Sequence, residues 1–191
     1  IPAVSQQQFP SSKPAAARAV VQTRLTFIVA LLSMIGPFSI DAYLPSFPDI
    51  ETAYGVIRAV LSQSLSVYLV AFAASTLLWG PLADRFGRGW VIMGSLSLYV
   101  LASMGCALAD TATTFILLRT LQGFAASGGL IAGRAMIRDA HDAESAHRAM
   151  AQVTLVFALA PAIAPVLGGW LHDHYGWRSV FWFLCLFGTL L

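Results

Sequence analysis

AVLSQSLSVYLVAFAASTLLWGPLADRFGR, residues 59–88, is the stretch that decides the fold of this chain. From Ala59 to Pro81 it carries no charge, and it then changes abruptly to glycine, proline, aspartate and arginine. A hydrocarbon core about 30 Å thick takes about 20 helical residues to cross, so the run reads as one bilayer span closed by a polar turn. The pattern repeats on both sides. Further spans are expected at about Leu25–Leu44, Trp90–Ala109, Thr113–Gly133 and Ala149–Leu171, with a sixth opening near Ser179 and incomplete at Leu191.

Composition agrees. The 191 residues are 58% hydrophobic and 10% charged, whereas a soluble domain carries about 25% charged residues to cover its surface. The expected fold class is therefore an all-α membrane protein. Residues 1–24 are rich in Gln, Ser, Pro and Ala and read as a disordered cytoplasmic tail; residues 25–191 read as the bundle, helices 1 to 6 with the last incomplete. The formal charge of +2 shows no nucleic-acid footprint. Cys106 and Cys185 lie in apolar runs without ligand spacing and read as filler.

Basic residues gather on the cytoplasmic side of membrane proteins. With the amino terminus inside, the inner segments hold Lys13, Arg18, Arg24, Arg85, Arg88, Arg134, Arg138 and Arg148, and the outer ones only Arg58 and Arg178. The opposite orientation would invert that bias.

Charge inside the hydrocarbon zone costs about 2.5–3.5 kcal/mol per residue, so each such group needs a reason. Two remain within the expected spans: Asp41 and Arg119. Counting about 1.5 Å per residue puts Asp41 roughly 6 Å and Arg119 roughly 9 Å below the outer surface, close to one layer. A carboxylate exchanging a proton with a cationic substrate beside a fixed guanidinium is one reading; a solvated Asp and a snorkelling Arg is the other. Met34, Pro37 and Phe38 share a helix face with Asp41 and would either wall a cavity for a small amphiphilic or cationic substrate or simply pack.

The tract Gly80-Pro81-Leu82-Ala83-Asp84-Arg85-Phe86-Gly87-Arg88 could be an ordinary positively charged inner loop. It also resembles the loop signature between helices 2 and 3 of the major facilitator superfamily. Arg119-Thr120-Leu121-Gln122-Gly123 resembles that superfamily's Arg-x-x-Gln-Gly motif. Ala160-Pro161-Ala162-Ile163-Ala164-Pro165-Val166-Leu167-Gly168-Gly169 is similar to its antiporter motif, with Ala160 and Ala164 in place of two glycines. Ser39-Ile40-Asp41-Ala42-Tyr43-Leu44-Pro45 with Pro48, and Gly176-Trp177-Arg178, resemble the Bcr/CflA drug-resistance branch.

The resemblance implies a six-helix amino-terminal bundle, a missing carboxy-terminal bundle as its partner, and proton-driven export of drugs or amphiphiles by alternating access across a bacterial inner membrane. It implies proton and substrate coupling by Asp41, Arg119 and Gln122. An inner-face latch would be made by Gly80, Asp84, Arg85, Gly87 and Arg88, with Asp139 a candidate partner for Arg85 or Arg88. The lipid bilayer and protons are the other expected partners. No enzyme activity, cofactor or metal is expected: nucleotide and triad motifs are absent, and His141, His147, His172 and His174 read as solvated loop residues. Transport of a physiological metabolite, and a half-transporter without transport activity, remain as alternatives.

Overall fold

The structure, a computed structural model, describes residues 15–191, with side chains from Val20 onward. The chain forms α1 (Ala15–Asp41), a 3-10 turn (Leu44–Ser46), α2 (Phe47–Tyr54), α3 (Arg58–Phe86), α4 (Arg88–Leu108), α5 (Ala112–Ala140), α6 (Ala143–Tyr175) and α7 (Arg178–Leu190). Five of these are long and apolar enough to cross a membrane, and α7 is a shorter apolar helix. No strand occurs among the described residues.

The helices overrun the apolar runs that announced them. With 29 residues, α5 is about 43 Å long, well beyond a hydrocarbon core of about 30 Å. Counting apolar residues locates the membrane-crossing middle of each helix and misses ends that project into the interface. The fourth helix accordingly runs seven residues past Gly133, taking Arg134 and Asp139 into α5. Likewise, Pro81 lies inside α3 and does not end it; a proline there removes one backbone bond without stopping a helix whose other bonds remain.

The expected tail also needs correction. Ala15 to Arg24 is the start of α1, favoured by four alanines and tied down where the Gln22 side-chain amide donates to the Ala140 carbonyl, 2.8 Å away. The part of that tail at 1–14 lies outside the described residues. At its other end α1 stops at Asp41, before the expected Leu44, because Pro45 has no N–H to carry the helical hydrogen-bond ladder onto the Asp41 carbonyl. The chain turns, and α2 starts with Pro48 in its first turn and ends on Gly55, left-handed at φ 62°.

At the centre lies α5, flanked by α3 and α4, while α1 packs on α6 and α7 on α4. Small residues make this closeness possible. A Cβ added to Gly123 would fall 2.3 Å from the Tyr68 carbonyl oxygen, so α5 touches the backbone of α3 there. On α6, Ala160, Ala164 and Gly168 are all buried and form a one-sided stripe at every fourth residue. A Cβ on Gly168 would lie 1.7 Å from the Ala42 carbonyl oxygen. The apolar outer faces carry Leu77, Val70, Val166 and Trp90 at two-thirds exposure or more, which suits lipid contact and no soluble surface.

Candidate functional site

Arg119 is wholly buried. Its Nη1 donates to Oε1 of Gln122, one turn along α5, and the Gln122 amide donates to Ser103 Oγ of α4 at 2.7 Å. The Ser103 hydroxyl in turn donates to the Tyr99 carbonyl. Two rings sandwich the guanidinium: Tyr43, at 4.4 Å from Cζ, and Tyr68 of α3, at 4.5 Å. Phe181 of α7 stands at 6.0 Å. The aromatic faces supply negative potential where no carboxylate among the described residues does, yet Nε, Nη2 and the Tyr68 hydroxyl have no hydrogen-bond partner among the described residues.

The Tyr43 ring is fixed in turn by Ser64, whose hydroxyl lies 2.9 Å from the Tyr43 hydroxyl. Tyr43 is two residues past Asp41, so the turn that ends α1 carries a half-buried carboxylate and a ring that covers Arg119. The two charges share a corner of the fold, but they do not face one space: Arg119 is enclosed in the bundle, whereas Asp41 is partly open and makes no ion pair among the described residues. Arg119 thus faces the bundle interior, where the aromatic rings close it off.

The cavity wall also divides. Pro37 lines an open cavity, together with Gly36 and Ile40. Phe38 is buried and stacks on Phe187 of α7 at 5.7 Å, and Met34 packs against the same core. At about 100° per residue, Phe38 and Pro37 fall on different flanks of α1, and Asp41 falls between them. The aromatic rings that do line the cavity come from Phe72 of α3 and Phe157 of α6. Neither stood out in the sequence, because nothing local marks which apolar residue of a span meets a cavity.

At the far end of the bundle, Arg88 Nη2 lies 3.0 Å from Asp139 Oδ2 of α5 and 3.7 Å from Asp84 Oδ1. Arg85 takes no acid among the described residues; its guanidinium lies over the Phe86 ring at 5.4 Å. Gly87, at φ 91°, is the single residue between α3 and α4, a conformation that only glycine adopts without strain. Gly80 has open space around it, so packing within this bundle gives no reason for a glycine there. In the antiporter stretch, Ala160, Ala164 and Gly168 are buried, Pro161 is exposed, and Pro165 and Gly169 are intermediate.

His141 lies in the connection between α5 and α6, as expected, whereas His147, His172 and His174 lie within α6 and not in loops. His172 Nε2 approaches Asp49 Oδ2 to 3.5 Å, joining α6 to α2.

Comparison with known proteins agrees in kind. The family model described as Major Facilitator Superfamily matches residues 27–191. Among curated relatives, the MFS-type transporter YdgK of Bacillus subtilis is 35% identical over 87% of this chain and 42% of its own length. The bicyclomycin resistance protein homolog of Haemophilus influenzae is 32% identical, over 88% of this chain and 44% of its own. A chloramphenicol resistance protein of Pseudomonas aeruginosa is 36% identical, over 83% and 40%. The chain thus spans well under half the length of these relatives.

Proposed function

Because the chain belongs to the major facilitator superfamily, we propose that it forms the first of two bundles of a proton-coupled exporter of drugs or amphiphiles. The bundle would sit in a bacterial inner membrane with its amino terminus in the cytoplasm, and would work by alternating access with the second bundle. The names of two relatives, which speak of bicyclomycin and chloramphenicol resistance, support efflux as the direction. The basic residues at the α3–α4 turn and the end of α5 support the orientation.

One observation carries the reading: the corner at residues 41–43 holds an unpaired, half-open carboxylate beside a ring that caps a caged guanidinium. Substrate or water reaching the carboxylate changes its surroundings and with them its hold on a proton. Arg119, capped by the Tyr43 ring and held by Gln122, forms no ion pair with Asp41 among the described residues; a permanent pair would lock the proton out. In this mechanism Asp41 takes a proton on the outer side and releases it on the inner side, while Arg119 never changes charge. Gln122 and Ser103 hold the guanidinium in place through the hydrogen bonds described above. The Arg88–Asp139 pair would act separately, as a contact between the α3–α4 turn and α5 that forms or breaks as the inner face closes or opens.

The test uses the two-bundle transporter in everted vesicles. Asp41→Asn is expected to abolish substrate movement driven by a pH gradient while leaving counterflow exchange of substrate. Proton-driven transport by Asp41→Asn at the wild-type rate, whatever the imposed pH gradient, would remove Asp41 from coupling.

A further inference from the structure

Arg134 was expected in the inner loop, after a span ending at Gly133; it lies instead within α5, half-buried. It lines a cavity of about 310 Å³ with Gly36, Pro37 and Ile40 of α1, Phe72 of α3 and Phe157 of α6. These five neighbours are apolar, and Arg134 is the one charged group in the lining. It makes no hydrogen bond or ion pair among the described residues. The acid nearest to it along α5, Asp139, is engaged by Arg88 at 3.0 Å. Beyond the end of α5, Asp142 accepts from the Ser145 hydroxyl, and Glu144 is bound to Arg148.

A guanidinium facing an apolar cavity is favoured by a counter-charge, and no described residue provides one. We propose that the occupant provides it: this cavity takes an amphiphile whose polar end bears an oxyanion, a carboxylate or sulfonate, which Arg134 grips while the rings of Phe72 and Phe157 hold the apolar body. The fork of a guanidinium matches two oxygens of such a group. The cavity is of a size to hold one small aromatic molecule. Arg134 stands fifteen residues along α5 from Arg119, about 22 Å toward the inner face, so the oxyanion is gripped near the opposite end of α5 from the caged guanidinium. The inference rests on the transporter reading and narrows its substrate class from cations toward anionic or zwitterionic amphiphiles.

The test is equilibrium binding to the purified two-bundle protein in lipid nanodiscs, with empty discs subtracted. The probes are 1-anilinonaphthalene-8-sulfonate and N-phenyl-1-naphthylamine, which share their rings and differ in the sulfonate. Arg134→Gln is expected to weaken the sulfonate probe roughly tenfold or more, the usual worth of a charge-assisted bond, and to change the neutral probe less than about twofold. Arg134→Lys, which keeps the charge without the fork, is expected to fall between, and remains readable if the Gln variant does not fold. Phe72→Ala is expected to weaken both probes. Equal losses for both probes in Arg134→Gln, or no loss for either, overturn the proposal and leave Arg134 as a contact to the second bundle or to water. Equilibrium binding needs no proton gradient, so a failure of the Asp41 experiment leaves this result interpretable, and the reverse also holds.

Discussion

Gly168→Ala adds one methyl group where α6 crosses the end of α1, and its cost follows from the geometry. The new Cβ would lie 1.7 Å from the Ala42 carbonyl oxygen and 2.5 Å from its carbonyl carbon, inside the 3.0 Å that real contacts observe. The obstacle is backbone, so no side chain can rotate away, and the seam must open by more than about 1 Å. Overpacking of this kind costs about 1–3 kcal/mol, with a rigid obstacle placing it at the upper end. Alanine recovers about 1 kcal/mol as the better helix former, which leaves a net loss of about 2 kcal/mol. Two controls isolate the contact. Gly94→Ala in α4 meets nothing within 4 Å and is expected to be neutral or slightly stabilising; Gly36→Ala meets only the Phe72 ring, at an ordinary 3.5 Å. Denaturant titration of the purified protein in mild detergent, followed by tryptophan fluorescence, gives the three stabilities. If Gly168→Ala matches Gly94→Ala, the close crossing of α1 and α6 is not present and the corner at Asp41 and Tyr43 is supported in another way.

Further outcomes follow from the same geometry. Arg119→Met is expected to stay within about 2 kcal/mol of the parent in stability, because exchanging a buried charge for apolar bulk is often neutral, while transport is lost; a collapse of the fold would make Arg119 a structural residue. Tyr43→Phe removes the hydroxyl contact with Ser64 and keeps the ring over Arg119, so a loss of about 1 kcal/mol with transport retained is expected. Reversing the Arg88–Asp139 pair in one double variant should restore the transport rate that either single reversal lowers, with little change in stability, since both groups are partly exposed. At the start of α6, the Ser145 hydroxyl and backbone amides hold the Asp142 carboxylate below its usual 3.8. A depressed folded value means that this support is present above 3.8 and is lost as pH falls below it; amide exchange at the first turn of α6 should quicken under acid, and Ser145→Ala should remove most of that dependence.

The number of spans and the two intramembrane charges were legible because the bilayer imposes one coarse requirement, a run of apolar residues about 20 long, and any exception stands out. Arg119 and Asp41 were visible on that ground, and Asp139 could be named as a partner for Arg88 because both stood at one membrane face. What surrounds each group was not legible. Tyr43, Tyr68 and Phe181 come from the turn after α1 and from two separate helices, and their closeness depends on Gly123 bringing α5 onto the α3 backbone, a contact that leaves no periodic trace. Whether Phe38 walls the cavity or packs could not be read from its sharing a broad face with Asp41, because a face of α1 is wide enough to serve α7 on one flank and the cavity on the other. Arg134 was lost to a span boundary drawn where the apolar residues thin out, although the hydrogen-bonded helix continues to Ala140.

The rings at the Arg119 end have a mechanical consequence. Tyr43, Phe47, Tyr54, Phe115, Trp177 and Phe181 touch one another in a continuous knot, with the guanidinium of Arg119 set into it. Three helices, α2, α5 and α7, together with the turn after α1, are cross-braced at that one height. Toward the other end the bracing is sparse: Trp79 against Phe124 is one ring contact, and the helices there are held by small residues and a partly exposed ion pair. A body clamped at one end and loosely held at the other bends like a cantilever. Displacement grows with distance from the clamp, so a small rotation at the caged guanidinium becomes its largest excursion at the α3–α4 turn.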